Sequence, residues 1–294
     1  MRRSMLFLPG NNPNMLINAA SLCADAVIFD LEDAVSPAEK DAARILVRNT
    51  LRYMELSGCE TVVRINSVDT DFWRADLDVI MPERPNLILL PKASTPSDIL
   101  TLDGYMTECE KRLGLECGSV GVIALIETAL GVENSFAIAT ATPRVRGLFL
   151  GAEDLTADLR CKRTKEGREI EYSRTRLVIA ARAAGVEVYD TPFTDVNDDE
   201  GILADASVAK ALGFSGKASI SPRHVEVINE VFSPTLKEIE YAYEVVRAIN
   251  EAKAQGKGAI SLYGKMIDAP IVARAEQTIA MARELGLCGG EDNE

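Results

Sequence analysis

Short apolar runs recur along the first three quarters of the chain, each separated from the next by a stretch of mixed polarity. Eight of them read as strands: SMLFLP (4–9), DAVIFDL (25–31), TVVRIN (61–66), NLILLPK (86–92), VGVIALIE (120–127), VRGLFLG (145–151), VEVYD (186–190) and GKASIS (216–221). Most are continuously apolar rather than alternating, the pattern of strands covered on both faces. Between them apolar residues return every three to four positions, as in PAEKDAARILVRNTLRYMEL (37–56) and SRTRLVIAARAAG (173–185), the latter closing on a C-capping glycine. Eight strands, each followed by a helix, predict an α/β fold of the closed (β/α)8 TIM-barrel type. An open doubly wound sheet is the competing arrangement. Its nucleotide-binding forms are weakened because no GxGxxG follows the first strand and no GxxxxGK[ST] occurs.

Past the eighth strand the pattern is helical only. PTLKEIEYAYEVVRAINEAKAQG (234–256) and IVARAEQTIAMARELGL (271–287) flank a short break, KGAISLYGKMIDAP (257–270), and CGGEDNE (288–294) reads as a frayed acidic tail. No low-complexity linker interrupts residues 1–230. The expected organisation is therefore a barrel over 1–232 and a C-terminal helical extension over 233–294 that packs on the barrel or on a neighbouring subunit.

Active sites of this fold lie at the C-terminal ends of the strands. Those ends carry Asp30-Leu31-Glu32-Asp33, Arg64 and Asn66, Pro91-Lys92, Glu127-Thr128, Gly151-Ala152-Glu153-Asp154, and Asp190-Thr191, whereas the strand starts show no such pattern. Carboxylates near helix N-termini also suit capping, a reading that fits Asp33, Asp190 and Glu153. It does not fit Arg64, since a cation there opposes the helix dipole. Nor does it explain why the neighbouring fifth and sixth strands both supply carboxylates, Glu127 and Asp154.

The single histidine, His224, excludes a His-rich zinc or iron site and reads as a surface or hydrogen-bonded side chain early in a helix. Two carboxylates without histidine or thiolate form a hard-oxygen site suited to Mg²⁺, with its other positions left to water and substrate. An arginine one strand away can clamp a substrate carboxylate through its two-pronged fork. Metal and clamp together suit enolate chemistry on a small oxo-acid. The formal net charge of −13 argues against a nucleic acid or an anionic membrane as partner. The six cysteines (23, 59, 109, 117, 161, 288) contain no CxxC pair and read as reduced, mostly buried thiols of a cytoplasmic protein. The N-terminal apolar run is too short for a signal peptide or a membrane span.

Taken together, RSMLFLPGNNPNML, DAVIFDLEDAVSPAEKDAAR, TVVRIN, LLPKA, IETALGVEN, LGAEDLTADL and GKMIDAP resemble the citrate lyase β-subunit family, from about residue 3 to residue 285. That family lies within the HpcH/HpaI aldolase superfamily, beside malyl-CoA and citramalyl-CoA lyases. The resemblance implies a Mg²⁺-dependent barrel, a homo-oligomer of three or six subunits, and association with citrate lyase α and γ subunits. It implies retro-Claisen cleavage of a citryl-type 3-hydroxyacyl thioester to an acetyl thioester and oxaloacetate. By the same resemblance Glu127 and Asp154 ligate the metal, Glu127 and Arg64 contact substrate, and Arg64 holds a carboxylate of the oxo-acid. Glu32 and Asp33 stand beside the metal and its waters. Asp268 acts as an acid/base delivered into a neighbouring subunit's site, although as a residue it also reads as the N-cap of the last helix. The chain departs from the family pattern at NNPNML, where the family reads NNPGML. It departs again at GKASISPRH, with Ser221 and His224 in place of Asn and Gln, on the side where a thioester arm would approach. The carrier thus stays open between a carrier protein and free coenzyme A. Three other readings are weighed beside it: a free-CoA citramalyl-CoA or malyl-CoA lyase, a class II aldolase, and a non-catalytic structural subunit.

Overall fold

The structure, a computed structural model, describes residues 1–254 and 260–287. Eight parallel strands close a barrel in chain order: β1 (Ser4–Pro9), β2 (Ala26–Asp30), β3 (Glu60–Arg64), β4 (Leu87–Leu90), β5 (Gly121–Ile126), β6 (Val145–Leu150), β7 (Glu187–Asp190) and β8 (Gly216–Ser219). The helices of this part are α1 (Pro13–Ile17), α2 (Lys40–Tyr53), α3 (Trp73–Ile80), α4 (Pro96–Leu113), α5 (Ala129–Ala139), α6 (Ala152–Asp158), α7 (Glu171–Ala184), α8 (Asp199–Leu212) and α9 (Arg223–Phe232). Each of the eight apolar runs is a strand, and Gly185 ends α7 in the left-handed region at φ 71, so the TIM-barrel expectation holds.

Side chains alternate across a strand. Met5, Ala26, Ile28, Val62, Leu87, Leu89, Ile123, Leu125, Phe149, Tyr189 and Ala218 form one packed cluster, the inward face of the barrel. Their outward neighbours join the larger cluster shared with the helices. Counting on by two from the inward positions reaches Asp30, Arg64, Glu127 and Gly151. Parity alone therefore aims these four into the mouth.

Parity sends Asp190 the other way. Its carboxylate accepts hydrogen bonds from Lys217 Nζ at 2.6 Å and from Arg174 Nε and Nη2 at 2.9 Å each, and Arg174 Nη2 also reaches Asp205 Oδ1 at 2.7 Å. All four residues are buried; the cluster ties β7 and β8 to α7 and α8. Asp190 is thus not the cap that the sequence suggested. Asp198 caps α8, accepting the Gly201 N–H at 2.9 Å.

Two compact units emerge, Arg2–Phe232 and Met1 with Ser233–Glu294. The second contains α10 (Leu236–Ala254), β9 (Ile260–Leu262), β10 (Lys265–Ile267) and α11 (Ala269–Glu284). Ala242, Val245, Ile249, Ile267, Val272, Ala275 and Ile279 form its core. The expected break at 257–270 contains an antiparallel hairpin, which turns at Tyr263 (φ 51) and Gly264 (φ 74). Two consecutive left-handed residues are what a tight two-residue hairpin requires, and three-residue strands are too short to show a period. The Gly256 helix stop and the 288–294 tail lie outside the described residues.

The cysteine expectation is corrected in part. The five described cysteines are free thiols, but only Cys109 is buried, while Cys23, Cys117 and Cys161 are exposed on connections rather than on apolar faces. Among the described residues no helix is long and apolar enough to cross a membrane.

Candidate active site

A cavity of about 470 Å³ opens at the C-terminal ends of the strands. Phe7, Met15, Leu125, Phe149, Pro192 and Ile220 supply apolar wall, while Asp30, Asp33, Arg64, Glu127, Glu153 and Asp154 supply charge. Five carboxylates face one guanidinium. The lining is therefore acidic, and a bound cation would offset that charge.

Arg64 points into the cavity as expected, but the protein already provides it an anion. Its Nε and Nη2 donate to Asp30 Oδ1 and Oδ2 at 2.7 and 2.6 Å. Asp30 also accepts the N–H groups of Glu32 and Ala34 at 2.9 and 3.2 Å, which locks the loop after β2. Asp30 takes two of the five guanidinium N–H donors, and the Nη1 edge faces Glu32 Oε2, 3.0 Å away. The Arg64 guanidinium also stacks over Phe7, 5.1 Å from the ring centre. Burial works against its charge, yet the hydrogen bonds and charge of Asp30, helped by Glu32 and Glu127, hold its pKa above the ordinary value.

Glu32 is 5% exposed. Its Oε1 accepts from Lys92 Nζ at 2.8 Å, while Oε2 lies 3.0 Å from Arg64 Nη1 but outside hydrogen-bonding geometry and has no hydrogen-bond partner. Burial raises its pKa against the pull of Arg64 and Lys92. Asp33 is more peripheral, with Oδ1 3.8 Å from Lys92 Nζ.

Glu127 is 4% exposed and held on two sides. Its Oε1 accepts the backbone N–H of Lys92 at 2.7 Å, and its Oε2 packs on Gly151, where a Cβ would stand only 2.6 Å away. Gly151 is also the N-cap position of α6, whose first turn carries Glu153 and Asp154. Burial, then the negative charges of Glu32 and Asp154, push the pKa of Glu127 up to about 8. The bland alternative for these positions, capping, belongs instead to Thr128, whose side chain accepts the Gly131 N–H at 3.0 Å.

These observations test the fit of a hard divalent cation. A buried Glu127 pushed toward protonation, with Asp154 on the same cavity wall, is an all-oxygen donor pair that accommodates Mg²⁺. Among the described residues no three His, Cys, Asp or Glu side chains converge on one point. Glu127 and Asp154 are the two carboxylates on adjacent strand ends that line the cavity together. A pH prediction follows. A carboxyl pKa raised from 4.5 to about 8 means that the cation-free fold binds a proton the unfolded chain has released. Its stability should fall as pH rises from about 4.5 to about 8. A cation bound to Glu127 would have to displace that proton, so Mg²⁺ affinity should climb about tenfold per pH unit up to pH ~8 and then level off. Calorimetric titration from pH 6 to 9 measures this, and a flat profile would contradict it.

The remaining expected residues fall elsewhere. Glu153 is largely exposed and sits 3.8 Å from Arg163 Nε. His224, read as a surface or hydrogen-bonded side chain, is fully buried with its ring 6.2 Å from that of Phe193, and burial lowers its pKa. Asp268, in the C-terminal unit, is the N-cap of α11 and accepts the Ile271 N–H at 3.4 Å. The site also contains residues that the sequence placed at strand ends without giving them a role. Asp30 was visible as an acid on the inward parity of its strand. Lys92 and Gly151 act through backbone conformation and close approach, for which the sequence offers no signal.

A family model described as HpcH/HpaI aldolase/citrate lyase matches residues 3–222. The chain is 43% identical to citrate lyase subunit beta of Leuconostoc mesenteroides subsp. cremoris, over 100% of this chain and 97% of that protein. It is 33% identical to the mitochondrial citramalyl-CoA lyase of Homo sapiens, over 97% of this chain and 86% of that protein. Among solved structures it resembles protein CitE from Mycobacterium tuberculosis in complex with magnesium, acetoacetate and coenzyme A. That match has a TM-score of 0.79 at 31% identity and covers 96% of this chain and 98% of the other.

Proposed function

The chain belongs to the HpcH/HpaI aldolase/citrate lyase family, and from that premise we propose a Mg²⁺-dependent carbon–carbon lyase that cleaves a citryl-type 3-hydroxyacyl thioester to an acetyl thioester and oxaloacetate. The observation that carries this reading is the meeting of Glu127, Asp154 and Arg64 in one acidic cavity. Glu127 and Asp154 would hold the ion. Bound there, Mg²⁺ supplies a Lewis acid for the negative charge that grows on the substrate's hydroxyl oxygen.

Arg64, braced by Asp30 and flanked by Glu32, lines the cavity and would hold a carboxylate of the oxo-acid portion, with Glu127 against the same portion. Asp33 at the cavity wall, with Glu32 buried behind it, would stand near the ion's waters. The substrate hydroxyl gives up its proton to water in the cavity and becomes the C=O of oxaloacetate as the C–C bond breaks; the electrons of that bond pass to the carbon α to the thioester C=O, which spreads them as an enolate. Asp268, brought by the C-terminal unit of a neighbouring subunit, then protonates that carbon. A free acetate carbanion has no such sink, so the thioester is essential. The apolar wall of Phe7, Met15 and Phe149 excludes water from the reacting carbon.

This reading places the protein in the cytoplasm, as a homo-oligomer of three or six subunits within a larger lyase complex with α and γ partners, working on a carrier-protein thioester. A free-CoA citramalyl-CoA or malyl-CoA lyase is the second reading, favoured by the citramalyl-CoA lyase relative and by the coenzyme A in the CitE structure. Turnover of the purified chain on citryl-, citramalyl- and malyl-CoA, beside a citryl carrier-protein thioester, separates the two. Preference for the carrier-bound citryl group supports the first; no cleavage of any of the four would refute the lyase.

A further inference from the structure

Lys92 lies in the turn that leaves β4, and its backbone sits in the left-handed region at φ 55. A lysine gains nothing locally from that conformation, so the surrounding contacts must hold it there. One of them reaches Glu127 in the cavity wall, and the other reaches Glu32 buried behind it. The Lys92 N–H donates to Glu127 Oε1 at 2.7 Å, and the Lys92 ammonium donates to Glu32 Oε1 at 2.8 Å. On the far side of Glu32, Arg64 Nη1 stands 3.0 Å from Oε2. Glu32 is thus a buried carboxylate pinned between two cations, next to the pair that faces the cavity.

We infer that Lys92 is a positioning residue that keeps Glu32 out of the cation's coordination shell, limiting the protein's ligands to Glu127 and Asp154. The reasoning is one of charge and coordination number. Mg²⁺ takes six oxygens, and each carboxylate added to its shell tightens binding and removes a place for substrate or water. With its ammonium on Oε1, Lys92 satisfies Glu32 electrostatically and leaves Glu127 and Asp154 to bind the ion. Without it, Glu32 keeps only Arg64, 3.0 Å from Oε2, and its Oε1 is freed to turn toward a cation held by neighbouring Glu127. The left-handed turn serves both ends of the residue, because one backbone conformation aims the amide at Glu127 and the side chain at Glu32.

The inference rests on the metal site proposed above, and the experiment keeps the two apart. Mg²⁺ binding by calorimetry, turnover and melting temperature are measured on the full chain as wild type, Glu127→Gln, Lys92→Met, Lys92→Gly and Lys92→Arg. Glycine relaxes the φ 55 backbone, so Lys92→Gly reports on the lost ammonium even where the methionine variant folds poorly. Lys92→Met and Lys92→Gly are expected to bind Mg²⁺ about tenfold more tightly while turning over about tenfold more slowly. Lys92→Arg, which keeps a cation on Glu32, recovers most of both, and adding Glu32→Gln to Lys92→Gly returns the affinity toward wild type. A merely structural role moves the other way, lowering the melting temperature with Mg²⁺ affinity unchanged or weaker. That result in Lys92→Gly overturns the inference, while loss of binding in Glu127→Gln leaves the metal site standing. A wild-type chain that binds no Mg²⁺ overturns both.

Discussion

Glu127→Gln should lower turnover by about a thousandfold, ~4 kcal/mol of barrier, and remove measurable Mg²⁺ binding. The substitution is nearly isosteric. Its amide oxygen can still accept the Lys92 N–H that Glu127 Oε1 accepts at 2.7 Å, and its other end still packs on Gly151. Only the charge is lost, so a fall in activity cannot be assigned to a collapsed cavity. A second readout moves in the opposite direction. The cation-free fold holds Glu127 with a pKa of about 8 because burial, Glu32 and Asp154 all disfavour the anion, so the neutral glutamine should raise the melting temperature at pH 8. A variant that is more stable, binds no Mg²⁺ and is inactive fits the reading. Turnover near the wild-type rate would remove Glu127 from the site.

Asp268→Asn carries the second large effect. Asp268 caps α11 through the Ile271 N–H at 3.4 Å, and asparagine caps a helix as well as aspartate does. On stability alone the change should therefore be nearly silent. If Asp268 supplies the proton to the carbon α to the thioester C=O, turnover falls by about a hundredfold to ten-thousandfold, the range of general acid catalysis, while Mg²⁺ binding stays intact. Mixing Asp268→Asn protein with Glu127→Gln protein tests whether the site is shared. Where subunits exchange, some interfaces pair an intact barrel with an intact Asp268 and activity partly returns. An active Asp268→Asn variant would leave the residue as a cap, and full loss without complementation would confine the site to one chain.

Much of this molecule is legible from the order of its residues. Burial on both faces makes parallel barrel strands continuously apolar, so the eight runs announce themselves, and the carboxylates and arginine that interrupt them stand out at their C-terminal ends. Because the strand period is two, an inward leucine at 125 already commits Glu127 to the cavity, and an inward Val62 commits Arg64. Other features have no such period. Asp190 lies at a strand end like the site residues, yet its parity aims it at Lys217 and Arg174, where it serves cohesion of the barrel with its helices. That parity could have been counted; its buried partners, distant in sequence, could not.

What the sequence determined by itself was the barrel, the family and the charged residues at its mouth, because periodicity and residue chemistry are local properties. Only the tertiary structure decided how those charges are shared. Asp30 rather than a ligand occupies the fork of Arg64, Lys92 turns left-handed to reach Glu127 and Glu32 together, and Gly151 leaves the space that Glu127 fills. Each of these depends on the spacing of neighbouring strands in three dimensions, where a few tenths of an ångström separate a hydrogen bond from a clash, and a linear pattern of residue types carries no such distance.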